Sequence, residues 1–219
     1  SLQRHTIKLL LSGGLGNQLF QYAFGRALSL RNNACLELDT VTQFVTDHRY
    51  LRSYTLDIFS LPPEIKVKDS ASRMENVYRK IIRRWGRNGN IDNRSFVVEG
   101  DRERGHFSHV YAEWRLKRSI YLSGYWQSPR YFSDVSGVIK SDLCFRDEPS
   151  AHVVDWLTRI RTKRSAAIHV RRNDYWSKLD ISYYRKAMQT LRANFGRVDF
   201  FVFADDVGWW PMDDEVLGE

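Results

Sequence analysis

Ser12-Gly13-Gly14-Leu15-Gly16-Asn17-Gln18-Leu19-Phe20-Gln21-Tyr22-Ala23 follows directly on an apolar run, Ile7 to Leu11. An apolar strand, a glycine-rich turn and a helix start, in that order, bring backbone close to a ligand. The spacing is not Gly-x-Gly-x-x-Gly, because Leu19 stands where the third glycine belongs. No Gly-Lys-Ser/Thr follows either, which excludes a Walker-type phosphate loop. The amide pair Asn17-Gln18 after the turn suits a hydroxyl-rich ligand better than a bare phosphate.

Working outward, Thr6 to Leu11 reads as a short buried strand. Leu19, Phe20, Ala23, Phe24, Ala27 and Leu28 recur at helical spacing and predict a helix over Asn17 to Arg31. Ala34 to Leu38 is a second strand with Asp39 at its carboxyl end. This opening predicts a parallel pair joined by a right-handed crossover. Residues 40–69 are mixed, punctuated by Pro62-Pro63, and read as loops with short elements. Val77 to Arg87 has one apolar and one basic side: a surface helix with a solvated face, or an interfacial helix on anionic lipid. Phe96 to Glu99 and Ile120 to Ser123 read as strands, and Pro129 fits the first turn of a following helix.

The last part repeats the opening logic. Pro149 to Lys163 reads as helix, Ala166 to Val170 as strand and Arg171 to Tyr175 as a charged loop. Ser182 to Asn194 is then helix, and Val198 to Phe203 a strand ending at Ala204-Asp205-Asp206. Two β-α-β units far apart in the chain predict an α/β protein of two Rossmann-like domains, residues 1–150 and 151–219. Two strands and one full helix cannot cover both faces of a doubly wound sheet, so the second domain is expected to be incomplete.

An apolar share of 42% and a charged share of 27% are those of an ordinary globular protein. Seven Trp and eleven Tyr provide rings for cores, and equally for stacking on sugars and bases. A net charge of +8 favours anionic partners: nucleic acid, acidic lipid or phosphorylated small molecules. The basic residues are dispersed and match no nucleic-acid-binding motif, so a nucleic-acid partner is not expected. The two cysteines, Cys35 and Cys144, lack metal or disulfide-framework spacing and favour a reducing compartment. No run reaches membrane-span length, and a cytoplasmic location with peripheral membrane contact is expected. Asn93-Arg94-Ser95 is formally a glycosylation sequon with nothing else to indicate secretion.

His169-Val170-Arg171-Arg172-Asn173-Asp174 lies just after a strand, where ligands collect in open α/β sheets. Alternation puts His169 and Arg171 on one side and Arg172 and Asp174 on the other. On an extended backbone Arg171 can reach an anion while Arg172 and Asp174 pair. An arginine fork suits a pyrophosphate, although a surface ion-pair cluster fits the pattern as well. Asp205-Asp206 could orient an arginine or bind hydroxyls, or simply cap the next helix. Trp126 and Gln127 offer a ring for sugar stacking beside an amide, while a core tryptophan is the commoner fate. No metal-ligand spacing and no nucleophile elbow is present.

Taken together, the Gly13–Ala23 motif, Gly124-Tyr125-Trp126-Gln127-Ser128, His169 to Tyr175, Tyr183-Tyr184 and Phe203-Ala204-Asp205-Asp206 resemble the α-1,2-fucosyltransferase family. The order and rough spacing agree from Ile7 to Trp209. The resemblance implies a GT-B architecture with the active site in a cleft between the domains. It implies transfer of L-fucose from GDP-fucose to the 2-hydroxyl of a galactose-terminated glycan, with inversion and without a metal or other cofactor. By the same resemblance His169, Arg171, Arg172, Asp205 and Asp206 meet the donor, with Arg171 on the leaving β-phosphate. Gly14, Gly16, Asn17, Gln18, Trp126 and Gln127 lie on the acceptor side. Arg171, Asp174 and Asn17 are the catalytic candidates, Asp174 as a possible general base. Family members have glycine at the position of Asn173 and continue beyond Trp210 with a serine-rich motif, so weak or absent turnover by this chain alone is expected.

Overall fold

The apolar run that opens the chain becomes β1 (Thr6–Leu10), the central strand of a five-stranded parallel sheet. The structure, a computed structural model, describes residues 4–69, 95–99, 105–172, 179–206, 208 and 210. These fall into two units, Ser1–Asp147 and Glu148–Glu219.

In the first unit β1 is followed by α1 (Leu15–Asn32), β2 (Cys35–Asp39), β3 (Lys66–Lys68), β4 (Phe96–Val98), α2 (His109–Ala112) and β5 (Ile120–Ser123). The sheet order is β3-β2-β1-β5-β4 with every pair parallel. Thr6 pairs with Cys35 on one flank of β1, and Ile7 with Ile120 on the other. Ile7, Leu9, Leu36, Leu38, Val97 and Leu122 are buried and alternate with the half-buried Lys8, Glu37 and Tyr121, so the core lies against one face of the sheet. Phe24 and Leu28 of α1 pack into the same core with Tyr111, Trp126 and Tyr131. The helix ends at Asn33, whose left-handed backbone (φ 46°) lets Ala34 N–H reach Ser29 O at 3.0 Å.

Because α1 is buried along most of its length, its polar side chains must be satisfied inside the protein. Asp142 Oδ2, in α3 (Ser136–Asp142), accepts from Tyr22 Oη at 2.8 Å and from Arg26 Nε at 2.9 Å. Arg26 Nη2 also reaches Glu64 Oε1 at 3.0 Å. Burial, and then the bond to Asp142, push the Tyr22 phenol far above its usual range. At the far end of α1, Arg31 grips Asp134 and donates to the carbonyls of Ala112 and Tyr131. That pairing holds the Asp134 carboxyl below its ordinary value.

The second unit contains α4 (Ala151–Thr162), β6 (Ser165–Val170), α5 (Ile181–Phe195) and β7 (Asp199–Ala204). β6 and β7 pair in parallel from Ser165↔Asp199 to Val170↔Ala204. Ser150 and Asp180 cap the two helices, accepting from Val153 N and Ser182 N. Tyr184 and Met188 of α5 cover Ile168 and Val170, with Trp210 closing the cluster. The opposite face is thinly covered: α4 buries no residue, and Trp156 meets Phe201 edge-on at 6.0 Å between ring centres.

The strands and long helices fall within one or two residues of their expected places. Two elements differ. β3 lies inside the stretch read only as loops, because a three-residue edge strand leaves almost no periodicity to read. Pro129 opens a 3-10 turn (Pro129–Tyr131) instead of the helix, which begins at Ser136 after a second such turn. Val77 to Arg87 and the Asn93-Arg94 pair lie outside the described residues.

Candidate functional site

β1 is hydrogen-bonded to β2 on one side and β5 on the other, so the strand order reverses at β1. Ligands of open α/β sheets gather at the carboxyl ends of strands at such a reversal. The two loops that emerge there are Leu11–Gly14, after β1, and Gly124–Ser128, after β5. Gly13 has φ +73°, and a Cβ on it would lie 2.4 Å from Asn17 Nδ2, so the turn needs glycine on both counts. Gly16 faces open space, where a Cβ would touch nothing. Asn17 Oδ1 accepts from Gln127 Nε2 at 2.8 Å, which joins the first turn of α1 to the β5 loop by an amide pair at the surface. The Arg52 guanidinium lies against Gly14, 3.7 Å from where its Cβ would be.

Two expected acceptor-side residues do structural work instead. Gln18 is fully buried, and its Nε2 donates to Gly13 O and Ser53 O, both at 2.9 Å. Its Oε1 accepts from Thr55 N at 3.0 Å. An amide so engaged ties the glycine turn to the loop carrying Arg52 and has no group left to face acceptor. Trp126 is fully buried and stacked on Phe24 with ring centres 4.5 Å apart, so it is a core residue and offers no face to a sugar.

Other residues of this region escaped the sequence reading. Gln21, fully buried one turn beyond Asn17, accepts from Ser12 N at 3.0 Å. Its Nε2 donates to Ser12 Oγ at 2.9 Å and Gly124 O at 2.8 Å. The Glu99 carboxylate, nearly buried after β4, accepts from Tyr125 N at 2.6 Å and Trp126 N at 3.1 Å. The four-residue spacing of Asn17 and Gln21 was a usable signal, since it puts both on one helix face. Nothing local marked Glu99, whose partners lie 26 and 27 residues on.

In the second unit, His169 and Arg171 are exposed at the carboxyl end of β6, with Val170 buried between them, as alternation requires. Asp205 Oδ1 accepts from the backbone N–H of Arg172 at 2.7 Å, and Asp205 N donates to Val170 O at 3.3 Å. Asp205 is therefore the clasp between the ends of β6 and β7. The Arg172 guanidinium donates to Leu179 O at 3.3 Å. Asp206 is exposed beside the clasp. Asp174 and Asn173 lie outside the described residues. Among the described residues, no group of three or more His, Cys, Asp or Glu is placed to hold a metal ion. None of the described helices is long and apolar enough to cross a membrane.

Residues 104–212, which include the β5 loop and the Arg172–Asp205 clasp, match the model of glycosyl transferase family 11. The chain belongs to glycosyl transferase family 11. An α-1,2-colitosyltransferase of Escherichia coli is 26% identical over 209 residues, covering 91% of this family 11 chain and 68% of that protein. Fucosyltransferase NodZ from Bradyrhizobium shares the fold at 14% identity and a TM-score of 0.51, over 94% of this chain and 74% of that one. A structure of NodZ α-1,6-fucosyltransferase soaked with GDP-fucose gives a TM-score of 0.53 at 12% identity, over 94% and 73% of the two chains. The chain is thus an α/β glycosyltransferase with parallel sheets, related to fucosyltransferases.

Proposed function

We propose that this family 11 enzyme takes L-fucose from GDP-fucose and transfers it with inversion to the 2-hydroxyl of a galactoside. The observation that carries the reading is the clasp at the end of β6. Asp205 fixes the Arg172 backbone, and so sets the course of the chain at Arg171, an exposed arginine just past a strand end. In this reading the hydroxyl oxygen of the acceptor attacks C1 of fucose opposite the diphosphate. The C1–O bond breaks with its electron pair passing to the β-phosphate, and the hydroxyl proton leaves to a base. Arg171 meets the negative charge that develops on the departing GDP, so the proposed transfer needs no metal. Asn17 and Gln127 supply the amides of the acceptor side in a GT-B division of labour.

The α-1,2 linkage in the name of the Escherichia coli relative supports the 2-hydroxyl. The same name favours a second reading, transfer of a colitosyl group. Incubation of the chain with isotope-labelled GDP-fucose and a β-galactoside, with the linkage read by NMR, tests the proposal. A slowly formed α-1,2-fucosylated product is expected, with Arg171→Ala lowering its rate about 10²–10³-fold. Transfer from a colitosyl donor alone would select the second reading, and transfer from neither would overturn both.

A further inference from the structure

The Gly124–Gln127 corner is costly to build. Trp126 has φ +44°, in the left-handed region that a bulky residue rarely enters. Its buried indole Nε1 has no hydrogen-bond partner. A Cβ at Gly124 would lie 2.4 Å from the Glu99 Cβ, so backbone and acid are pressed together. Strain and an orphaned donor persist only where the surroundings over-determine them, and they gather at functional sites. Two buried side chains do the determining here. Glu99 holds the Tyr125 and Trp126 amides from one side, and Gln21 holds the Gly124 carbonyl from the other. What this arrangement delivers to the surface is Gln127, with its Nε2 on Asn17 Oδ1.

We propose that Gln21 and Glu99 are positioning residues that brace the Gly124–Gln127 corner, so that Gln127 fixes the Asn17 amide with its NH2 group turned to the ligand. The chemistry follows from the amide itself. With Oδ1 turned to Gln127, Asn17 presents the two N–H groups of Nδ2, which makes it a hydrogen-bond donor toward a ligand oxygen. Were Gln127 displaced, the Asn17 amide could rotate and present an acceptor instead. Gln21 lies four residues beyond Asn17 on α1, so one helix carries both the braced group and half of its brace. The inference rests on the proposed reading of Asn17 as a residue of the acceptor side.

Side-chain amide NMR on the intact chain tests it, with Gln21→Glu, Glu99→Gln and the exposed Gln127→Glu as variants. Gln21→Glu keeps shape and the acceptor for Ser12 N but cannot donate to Gly124 O. The Gln127 NH2 protons are expected to exchange at least about tenfold more slowly than a free glutamine amide, and to lose that protection in Gln21→Glu and Glu99→Gln. In Gln127→Glu, a surface change that spares the core, the Asn17 NH2 resonances are expected to shift as the amide turns round. Free-glutamine exchange in the unmodified chain, or unchanged Asn17 resonances in Gln127→Glu, would overturn the proposal. In transfer assays Gln21→Glu is expected to lower kcat about ten- to a hundredfold with GDP affinity unchanged, since an error of about 1 Å at a site has effects of that size. A parallel loss of GDP affinity would instead mark general disruption and count against the brace. If the unmodified chain transfers no fucose, the proposed function fails while the exchange measurement still decides the brace.

Discussion

Single side chains separate into those that hold α1 and those that reach solvent at strand ends. Asp142 belongs to the first kind: one buried carboxylate oxygen serves both Tyr22 and Arg26. Asp142→Ala leaves a buried guanidinium without its main partner, and about 3–5 kcal/mol of stability should be lost in denaturant unfolding. Asp134 is more exposed, and its contribution is screened by solvent and best read through pH. The Arg31 bond depresses its pKa, so the folded state binds this proton less readily than the unfolded chain does. Its stabilisation is present above the ordinary value of 3.8 and fades as pH falls through the lower, folded value. The melting temperatures of the parent and Asp134→Asn should therefore differ at neutral pH and converge in acid. A constant gap at every pH would show that the pair contributes nothing through charge.

At the scale of elements, the β1-turn-α1 unit was legible because each signal agreed with the next. The apolar run, the glycines at a turn that needs them, and apolar residues at helical spacing all point to one arrangement. The carboxyl end of β6 was legible for a similar reason, since the alternation of His169, Val170 and Arg171 survives in the structure. What was not legible is the wiring between loops. Gln18 reads as a ligand amide because its position after the turn is known and its partners, Ser53 and Thr55, are not. Trp126 reads equally as stacking ring or core residue until Phe24 is seen against it. Glu99 reads as a strand end because its work is done on a loop more than twenty residues away. Gly124→Ala probes that loop directly. The added methyl has nowhere to go but into Glu99, and the expected cost is about 1–3 kcal/mol in thermal or denaturant unfolding. A neutral effect would mean that the corner is looser than its contacts indicate.

For the whole molecule, the chain joins a unit built on a five-stranded parallel sheet to a second unit carrying the Arg171 loop. Membership of glycosyl transferase family 11 gives the class of chemistry, and the Asp205 clasp gives the reason to assign the diphosphate to Arg171. The central claim is that Arg171 holds a guanosine diphosphate. Calorimetric titration of the intact chain and of Arg171→Ala with GDP, at low and at moderate salt, tests it most directly. The account predicts saturable one-to-one binding that weakens at least about tenfold in the variant, as expected for loss of a charged hydrogen bond to phosphate. It also predicts only a modest dependence on salt, in contrast to the steep fall of non-specific nucleic-acid binding. Equal GDP affinity in the parent and Arg171→Ala would contradict it.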